Sequence, residues 1–361
     1  MMTTRRQFLA AAGGALLSAG HLVADTARSR LPDGSAAKGM ITPATQRAID
    51  QGLAYLAERQ HADGSFGERQ YHGNVAITSL AALAFMAGGS QPGRGPRGRL
   101  VLDALRFVLR QEERNRRGFL HNPQGSTHGP MYSHGFGTLF LGEVHGMVAD
   151  RELRQQVRDT LDRAVKLIVA TQNSEGGWRY QPERRDADIS VTICQIMALR
   201  SARNAGLYVP KATVDECIKY VKACQTSDGG FRYMKQGGPP AFARTAAGVV
   251  ALYSAGVYEG PEIERGLNFL MRYKPSQGMQ REIVPDLHYF YGHYYAAQAM
   301  WTAGGDYWSE WYPAIREELV QRAGRHRADG AWFDSICSHY ATAMACIILQ
   351  IPNNYLPILQ K

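Results

Sequence analysis

A short turn motif, in which a polar residue and one or two glycines precede an aromatic residue, recurs along most of the chain. Its copies follow one another at intervals of about 50 to 60 residues, a spacing that indicates a tandem repeat fold. Each repeat of such a fold buries its apolar face against its neighbours. The copies are Asp63-Gly64-Ser65-Phe66, Arg117-Gly118-Phe119, Glu175-Gly176-Gly177-Trp178, Asp228-Gly229-Gly230-Phe231, the degenerate Gln277-Gly278-Met279, and Asp329-Gly330-Ala331-Trp332.

An amphipathic segment precedes each turn, and an apolar segment follows it. In the preceding segments apolar residues recur at three- and four-residue spacing, as in Leu153, Val157 and Leu161, which predicts outer helices with one buried face. The following segments are apolar nearly all round, which predicts inner helices covered by protein on every side. The predicted inner helices span residues 78–87, 138–148, 192–200, 245–255, 294–301 and 342–349.

Six outer-inner pairs predict an all-α fold, a single (α/α)6 toroid of six helical hairpins over residues 41–361. The last inner segment is wholly apolar, whereas the end of an open repeat array needs a polar outer face. We therefore expect the last hairpin to pack on the first and the two rings to close around a central cavity.

The N-terminus carries the pattern of an export signal. It reads Thr3-Thr4-Arg5-Arg6-Gln7-Phe8-Leu9, and an apolar stretch rich in Ala, Gly and Leu follows. This order is typical of a twin-arginine signal peptide, so we expect a signal at residues 1–24, a flexible linker at 25–40, and a mature protein in the periplasm or cell envelope. The twin-arginine route carries folded proteins, so the toroid would form and load any ligand before export.

The charge distribution limits the classes of partner that we expect, and the cysteines can be assigned a structural role. The 41 Lys and Arg residues outnumber the 32 Asp and Glu residues, for a net charge of +9, but the charges are scattered, so we expect no nucleic-acid partner. The balance is compatible with peripheral contact with an acidic membrane surface. The five cysteines form no Cys-x-x-Cys pair, and we expect them to be small buried hydrophobes.

The turns resemble those of the prenyltransferase and squalene-oxidase repeat family, which includes squalene-hopene cyclases and the β subunits of protein prenyltransferases. The resemblance covers the chain after about residue 40 and implies an α/α toroid that binds a polyisoprenoid-like apolar ligand, with no cofactor required for cyclisation. Fold alone does not establish chemistry. The resemblance is carried by Gln60 with Asp63-Gly64-Ser65-Phe66-Gly67, Gln172 with Gly176-Gly177-Trp178, Gln225 with Asp228-Gly229-Gly230-Phe231, and Asp329-Gly330-Ala331-Trp332.

The first turn of each inner helix should lie at one end of the cavity, because every inner helix follows a turn of the same kind. Polar and aromatic side chains alternate at these helix starts, where a ligand would be bound. The candidate ligand-binding residues are Tyr132, His134, Arg244, Tyr291, His293 and His339.

Asp186 and Asp188 are the candidate catalytic residues. The segment Asp186-Ala187-Asp188-Ile189 resembles the Asp-x-Asp-Asp motif that supplies the protonating acid of squalene-hopene cyclases. The resemblance implies that Asp188 is the proton donor and Asp186 its supporting carboxylate, since a second carboxylate and apolar surroundings keep an acid protonated. Ile189 departs from the motif, which has a third Asp there. The alternative is that Asp188 or Ser190 caps the inner helix.

Asp286, His288 and His339 form a second pattern. In prenyltransferase β subunits an Asp, a Cys two residues later and a His of the next hairpin bind zinc, and His288 stands at the Cys position. An Asp/His/His set can hold zinc with one position open. The alternative is that these residues line a polar pocket without metal. Whether a partner subunit completes the site stays open.

Two other functions compete with that of a terpenoid cyclase or prenyltransferase-like toroid. One is a non-catalytic binding or scaffold toroid of the bacterial envelope, with a cavity filled by side chains. The other is an (α/α)6 carbohydrate-active enzyme, which needs two carboxylates across a cleft. Asp188 and Asp286 come from different hairpins and are the pair that the sequence offers.

The export signal is tested by replacing both Arg5 and Arg6 with Lys. The substitution keeps the charge but removes the guanidinium pair, and Arg and Lys are not interchangeable in recognition. We expect the variant to accumulate in the cytoplasm while the unaltered protein reaches the envelope, as measured by cell fractionation and immunoblotting. The same change at Arg28 and Arg30, in the expected linker, is the control. Undiminished export of the first variant would contradict the assignment.

Overall fold

The segments before and after the turns form α-helices. The fold is seen in a computed structural model that describes residues 37–125, 129–275, 288–324 and 329–360. These residues contain six outer and six inner helices. The outer helices are α1 (Pro43–Glu58), α3 (Gly98–Arg110), α5 (Arg151–Thr171), α7 (Lys211–Ala223), α9 (Pro261–Met271) and α11 (Gly305–Arg322). The inner helices are α2 (Val75–Ala87), α4 (Pro130–Val144), α6 (Ile189–Asn204), α8 (Phe242–Ser254), α10 (Tyr289–Ala303) and α12 (Ser338–Gln350).

The inner helices form a closed ring. Each packs against the next along the chain, and α12 packs against α2. The outer helices cover the ring: α1 contacts α11 and α12 as well as α2, so the last hairpin packs on the first. The predicted α/α toroid is confirmed. Nearly every residue of the inner helices is buried, as in α12, where all positions are, which agrees with their lack of a polar face.

A glutamine before the turn ties it to the next outer helix. The Gln172 side-chain amide donates to the carbonyl of Gly176 in its own turn and to that of Thr213 in α7, both at 2.9 Å. Gln60 and Gln225 make the equivalent pairs of bonds, Gln60 to Gly64 and Leu100 and Gln225 to Gly229 and Glu262. Each of these glutamines therefore fixes the spacing between neighbouring hairpins with two buried or half-buried hydrogen bonds.

The turn glycine and the turn aromatic have separate roles. Gly176 has φ +96°, and an added Cβ would lie 2.2 Å from the carbonyl oxygen of Glu216 in α7, so only glycine allows this approach. The N–H of Trp178 donates to the Thr192 hydroxyl of α6 at 3.1 Å, and the Trp178 indole donates to the Ile168 carbonyl of α5 at 2.7 Å. The turn is thus bonded to both helices of its hairpin.

The inner helices begin earlier than the apolar pattern predicts, and at α2 and α6 a polar residue takes the capping position. Asn74 caps α2 by accepting the N–H of Ile77 at 3.0 Å, and Asp188 caps α6. Helix α4 begins at Pro130, so Tyr132 and His134 lie inside it rather than before it.

All five cysteines are free and buried, as expected. Within the described residues no helix combines the length and the apolar character needed to cross a bilayer.

The glutamine bonds give a stability prediction. Gln172→Ala leaves the carbonyls of Gly176 and Thr213 without their donor, and we expect it to lower the free energy of unfolding by about 1–3 kcal/mol, measured by urea denaturation. Gln156→Ala, at an exposed position of the same helix α5, should change it by about 0.5 kcal/mol or less. Equal effects of the two substitutions would contradict the role given to Gln172.

Candidate active site

Asp188 is held at the start of α6 by the chain around it. Its N–H donates to the carbonyl of Trp178 at 3.0 Å, which ties it to the turn. One carboxylate oxygen, Oδ1, accepts the N–H groups of Ser190 and Val191, both at 2.9 Å. The helix cap considered for Asp188 is therefore present in the structure.

The second oxygen of Asp188 has a different environment. Oδ2 is buried and has no hydrogen-bond partner among the described residues, and the Nε of Arg179 lies 3.8 Å away. Burial raises the pKa of Asp188, although its hydrogen bonds and Arg179 oppose the shift. The two oxygens of Asp188 therefore differ, because Oδ1 caps the helix and Oδ2 is buried without a hydrogen bond among the described residues.

A chain of hydroxyl groups leads from Asp188 toward the half-exposed edge of the site. The Ser190 hydroxyl donates to Asp188 Oδ1 at 2.5 Å, and the Tyr132 hydroxyl lies 2.7 Å from the Ser190 oxygen. Tyr291 donates to the carbonyl of Ser190 at 3.0 Å. Helices α4, α6 and α10 therefore meet at this point, and the structure brings the predicted residues Tyr132 and Tyr291 beside Asp188.

Arg179 lies between the two predicted catalytic carboxylates. It is hydrogen-bonded to Asp186 Oδ2, and the Asp186 side chain is 52% exposed whereas that of Asp188 is fully buried. A guanidinium next to a carboxylate favours its ionised form. Arg179 is thus close to both carboxylates, and the supporting role assigned to Asp186 stays a prediction.

Tyr180 and Tyr233 form an aromatic wall that the sequence analysis missed. Their hydroxyl groups are hydrogen-bonded to each other, and the Arg179 guanidinium lies 5.3 Å from the ring of Tyr180 and 5.9 Å from that of Tyr233. The predicted residue Arg244 lies 5.9 Å from the ring of Tyr233. Both tyrosines stand two positions after a turn aromatic, Trp178 or Phe231, and this offset is the signal that could have identified them.

The three predicted ligand-binding histidines are buried in the walls of the toroid. His134 Nδ1 accepts the N–H of Leu120 at 3.3 Å, and burial lowers its pKa to about 3, so it is neutral. His339 Nδ1 accepts the N–H of Gly67 at 3.0 Å. His293 packs against the rings of Tyr289, Phe242 and Trp311, with centroids at 4.5, 4.9 and 5.9 Å. Contact of these histidines with a ligand stays a prediction.

The structure describes two of the three candidate zinc residues, His288 and His339. Asp286 lies outside the described residues, His288 is exposed at the start of α10 with φ 67°, and His339 is buried. No group of three metal-binding side chains occurs among the described residues. His288 and His339 therefore do not by themselves fit a zinc site.

Comparison with known proteins places the chain among helical toroids. The family model of the prenyltransferase alpha-alpha toroid domain matches residues 35–120 and 103–282. A drimenyl diphosphate synthase from Streptomyces showdoensis is 26% identical over 189 residues, which are 51% of this chain and 32% of that enzyme. The chain therefore spans about a third of the length of this curated relative.

Two solved structures share the fold at 13% identity. The cellobiose 2-epimerase from Bacillus thermoamylovorans B4167 aligns with a TM-score of 0.63 over 86% of this chain and 99% of its own. A type II terpene cyclase from Scytonema, in complex with geranylgeranyl dihydroxybenzoate as substrate, aligns with a TM-score of 0.57 over 87% and 98%. At this identity the likeness establishes the fold alone.

The raised pKa of Asp188 gives a pH-dependent prediction. The folded protein holds this proton more tightly than the unfolded chain, so the contribution of Asp188 to stability is present below about pH 4 and is lost as the pH rises through the folded pKa. Asp188→Asn keeps the Oδ1 cap but cannot ionise, so its stability relative to the unaltered protein should increase from about pH 4 upward. Denaturant unfolding at a series of pH values measures the difference.

Whereas Asp188→Asn removes only the ability to ionise, Asp188→Ala removes both the cap and the carboxyl group. It should cost about 1 kcal/mol or somewhat more, because the N–H groups of Ser190 and Val191 lose their acceptor. Asp150→Ala is the matched control, since Asp150 caps α5 by accepting the N–H of Leu153 at 2.7 Å but is exposed. A pH-independent difference between the unaltered protein and Asp188→Asn would rule out a raised pKa.

Proposed function

This chain belongs to the prenyltransferase alpha-alpha toroid domain family, and we propose that it binds a polyisoprenoid-like apolar ligand and cyclises it by acid catalysis. The observation that carries the proposal is the Asp188 carboxyl group at the start of α6, which is buried, has no hydrogen bond to Oδ2 among the described residues and has a raised pKa. The match to a drimenyl diphosphate synthase over half of this chain supports the same chemistry.

In the proposed first step the proton on Asp188 Oδ2 moves to a terminal alkene carbon of the ligand. The O–H bond breaks, a C–H bond forms from the alkene π electrons, and a tertiary carbocation remains. The next alkene attacks that cation and closes a ring, and the final cation loses a proton to form a double bond. The reaction is a net isomerisation, and no oxidant or reductant is needed.

The surroundings of Asp188 suit the steps that follow. The half-buried rings of Tyr132, Tyr180 and Tyr233 can stabilise carbocations through their π faces. After proton transfer the three hydrogen bonds to Oδ1 hold the carboxylate charge. Ser190 and Tyr132 then form a path by which a proton from solvent returns to Asp188.

Ile189 stands where the Asp-x-Asp-Asp motif has a third Asp, so different groups must position the Asp188 carboxyl group. Ile189 is fully buried and its N–H donates to the carbonyl of Tyr233 at 2.9 Å, so it positions the chain and offers no carboxylate. We infer that the Ser190 hydroxyl takes over the task of orienting Asp188. Arg179 lies over Oδ2, and we infer that its side chain moves aside when an alkene approaches.

A binding toroid without catalysis is the second candidate, because the cap at Oδ1 and the complete burial of Oδ2 also describe a purely structural aspartate. A carbohydrate-active toroid has the support of the epimerase fold likeness alone. The two carboxylates that it needs include Asp286, which lies outside the described residues.

We also propose that the protein is exported by the twin-arginine route, and that peripheral contact with a membrane brings it near apolar ligands. The proposal rests on Arg5 and Arg6 and on the net charge of +9. A protein loaded before export would carry its ligand with it, so lipid extraction of purified protein followed by mass spectrometry would reveal an isoprenoid.

Cyclisation is tested by incubating the full-length protein in D₂O with farnesyl diphosphate, geranylgeraniol or squalene and analysing the extracts by gas chromatography and mass spectrometry. We expect a cyclic product that carries one deuterium at the protonated carbon. Asp188→Asn should lower the rate at least about 100-fold, in the range for loss of a general acid, while Asp150→Asn should leave it unchanged.

The alternatives give different results in the same experiment. Binding of these ligands without turnover would support the binding toroid and would overturn catalysis. A cyclic product formed equally well by Asp188→Asn, or one without deuterium, would show that Asp188 is not the proton donor.

A further inference from the structure

Arg179 lies within reach of two carboxylates and is bonded to one of them. Its Nη1 group is hydrogen-bonded to Asp186, whereas its Nε lies 3.8 Å from Oδ2 of Asp188. A hydrogen bond between a guanidinium and a carboxylate is about 2.7–2.9 Å long, so the contact with Asp188 is too long to be one. The arginine is therefore bonded to the exposed carboxylate and only close to the buried one.

The backbone keeps Arg179 beside the start of α6. Arg179 directly follows Trp178 in the chain, and Trp178 is bonded to both helices of its hairpin. The carbonyl of Trp178 also accepts the N–H of Asp188 at 3.0 Å. Because the backbone of Arg179 is fixed in this way, its side chain decides which carboxylate the guanidinium meets.

Two aromatic rings and Asp186 hold the guanidinium in its present position. It lies 5.3 Å from the centre of the Tyr180 ring and 5.9 Å from that of Tyr233, within the range of cation–π attraction. The half-exposed Asp186 ionises in contact with water, whereas an ion pair with Asp188 needs a charge on a fully buried carboxyl group. These contacts favour Asp186 as the partner of Arg179.

Arg179 brings a positive charge to Asp188, while the other titratable groups near Asp188 are uncharged at neutral pH. Burial raises the pKa of Asp188, and its hydrogen bonds and Arg179 oppose that rise, since a nearby cation favours the ionised form. Burial also raises the pKa of the tyrosine and cysteine side chains that surround Asp188 in the described part of the chain. These side chains belong to α4, α6, α7, the turn after Phe231 and α10, and they are Tyr132, Cys194, Tyr220, Tyr233 and Tyr291.

We propose that Arg179 is a positioning residue of the acid: Asp186, Tyr180 and Tyr233 hold its guanidinium away from an ion pair with Asp188, and Asp188 therefore keeps its proton. Asp186 supports the acid through the arginine rather than by facing it. The proposal rests on the proposed function of Asp188 as a proton donor. It predicts that Asp188 ionises more readily once Arg179 loses its exposed partner.

The test measures the pKa of Asp188 in the full-length protein by NMR titration of ¹³C-labelled aspartate carboxyl groups. The Asp188 signal is identified by its absence from Asp188→Asn. Asp186→Ala should lower the pKa of Asp188, because the guanidinium of Arg179 is then free to turn toward it. Glu183→Ala is the matched control, since Glu183 pairs with Arg185 at 3.0 Å in the same loop and is also exposed. It should leave the pKa of Asp188 unchanged.

A double variant separates this mechanism from direct repulsion between the two carboxylates. Arg179→Gln should raise the pKa of Asp188, and Asp186→Ala added to Arg179→Gln should change it no further, because the group that couples the two residues is gone. Arg179→Met, which keeps an apolar contact with the tyrosine rings, replaces Arg179→Gln if that variant does not fold. An equal fall in the pKa of Asp188 with and without Arg179 would show direct repulsion and overturn the proposal.

Turnover gives a separate result. Asp186→Ala should slow cyclisation at about pH 7 at least about tenfold, since each unit by which the pKa of Asp188 falls reduces its protonated fraction about tenfold. Arg179→Gln should restore the rate in the double variant. The expected pKa changes without cyclisation in any variant would overturn the proposed function and support the role of Arg179. An unchanged pKa of Asp188 in Asp186→Ala would overturn the role of Arg179, whatever the rate of cyclisation.

Discussion

The double hydrogen bond of the turn glutamine is the interaction on which the rest of the structure depends. Gln172 holds its own turn through Gly176 and the next outer helix through Thr213, and Gln60 and Gln225 repeat the arrangement. One glutamine side chain therefore fixes both the turn that follows its outer helix and the distance to the next hairpin. Because the same geometry recurs at three turns, it holds those hairpins in the same orientation, so that their inner helices begin at one end of the toroid.

The sequence allowed prediction of the features that repeat. The turn period and the apolar inner segments are local patterns, and together they predicted the helices and their burial. The burial of the cysteines was predicted as well. Closure of the ring was predicted from the apolar last inner segment, which needs a neighbour, and α12 packs against α2. Asp188, Tyr132 and Tyr291 could be placed together because they stand at the starts of helices that share one end of the toroid.

The remaining features depend on contacts between distant parts of the chain, and no local pattern encodes those contacts. Tyr180 meets Tyr233, which lies 53 residues further along the chain in the next repeat. The guanidinium of Arg200 in α6 likewise donates to the carbonyl of Gln360, 160 residues further along the chain. The burial of His134 and its bond to Leu120 likewise follow from how far α4 extends toward its turn, which the apolar pattern underestimated.

The two roles of Asp188 are compatible because its two oxygens are in different environments. Oδ1 accepts three hydrogen bonds, which stabilise the carboxylate, whereas burial around Oδ2 destabilises it. In the proposed reaction, burial would favour the protonated acid before a ligand arrives, and the hydrogen bonds would hold the charge once the proton has left. A buried carboxyl group without such bonds would keep its proton too tightly, and an exposed one would lose it to water. The cap that stabilises α6 is therefore also what would make this carboxyl group an effective proton donor to an alkene.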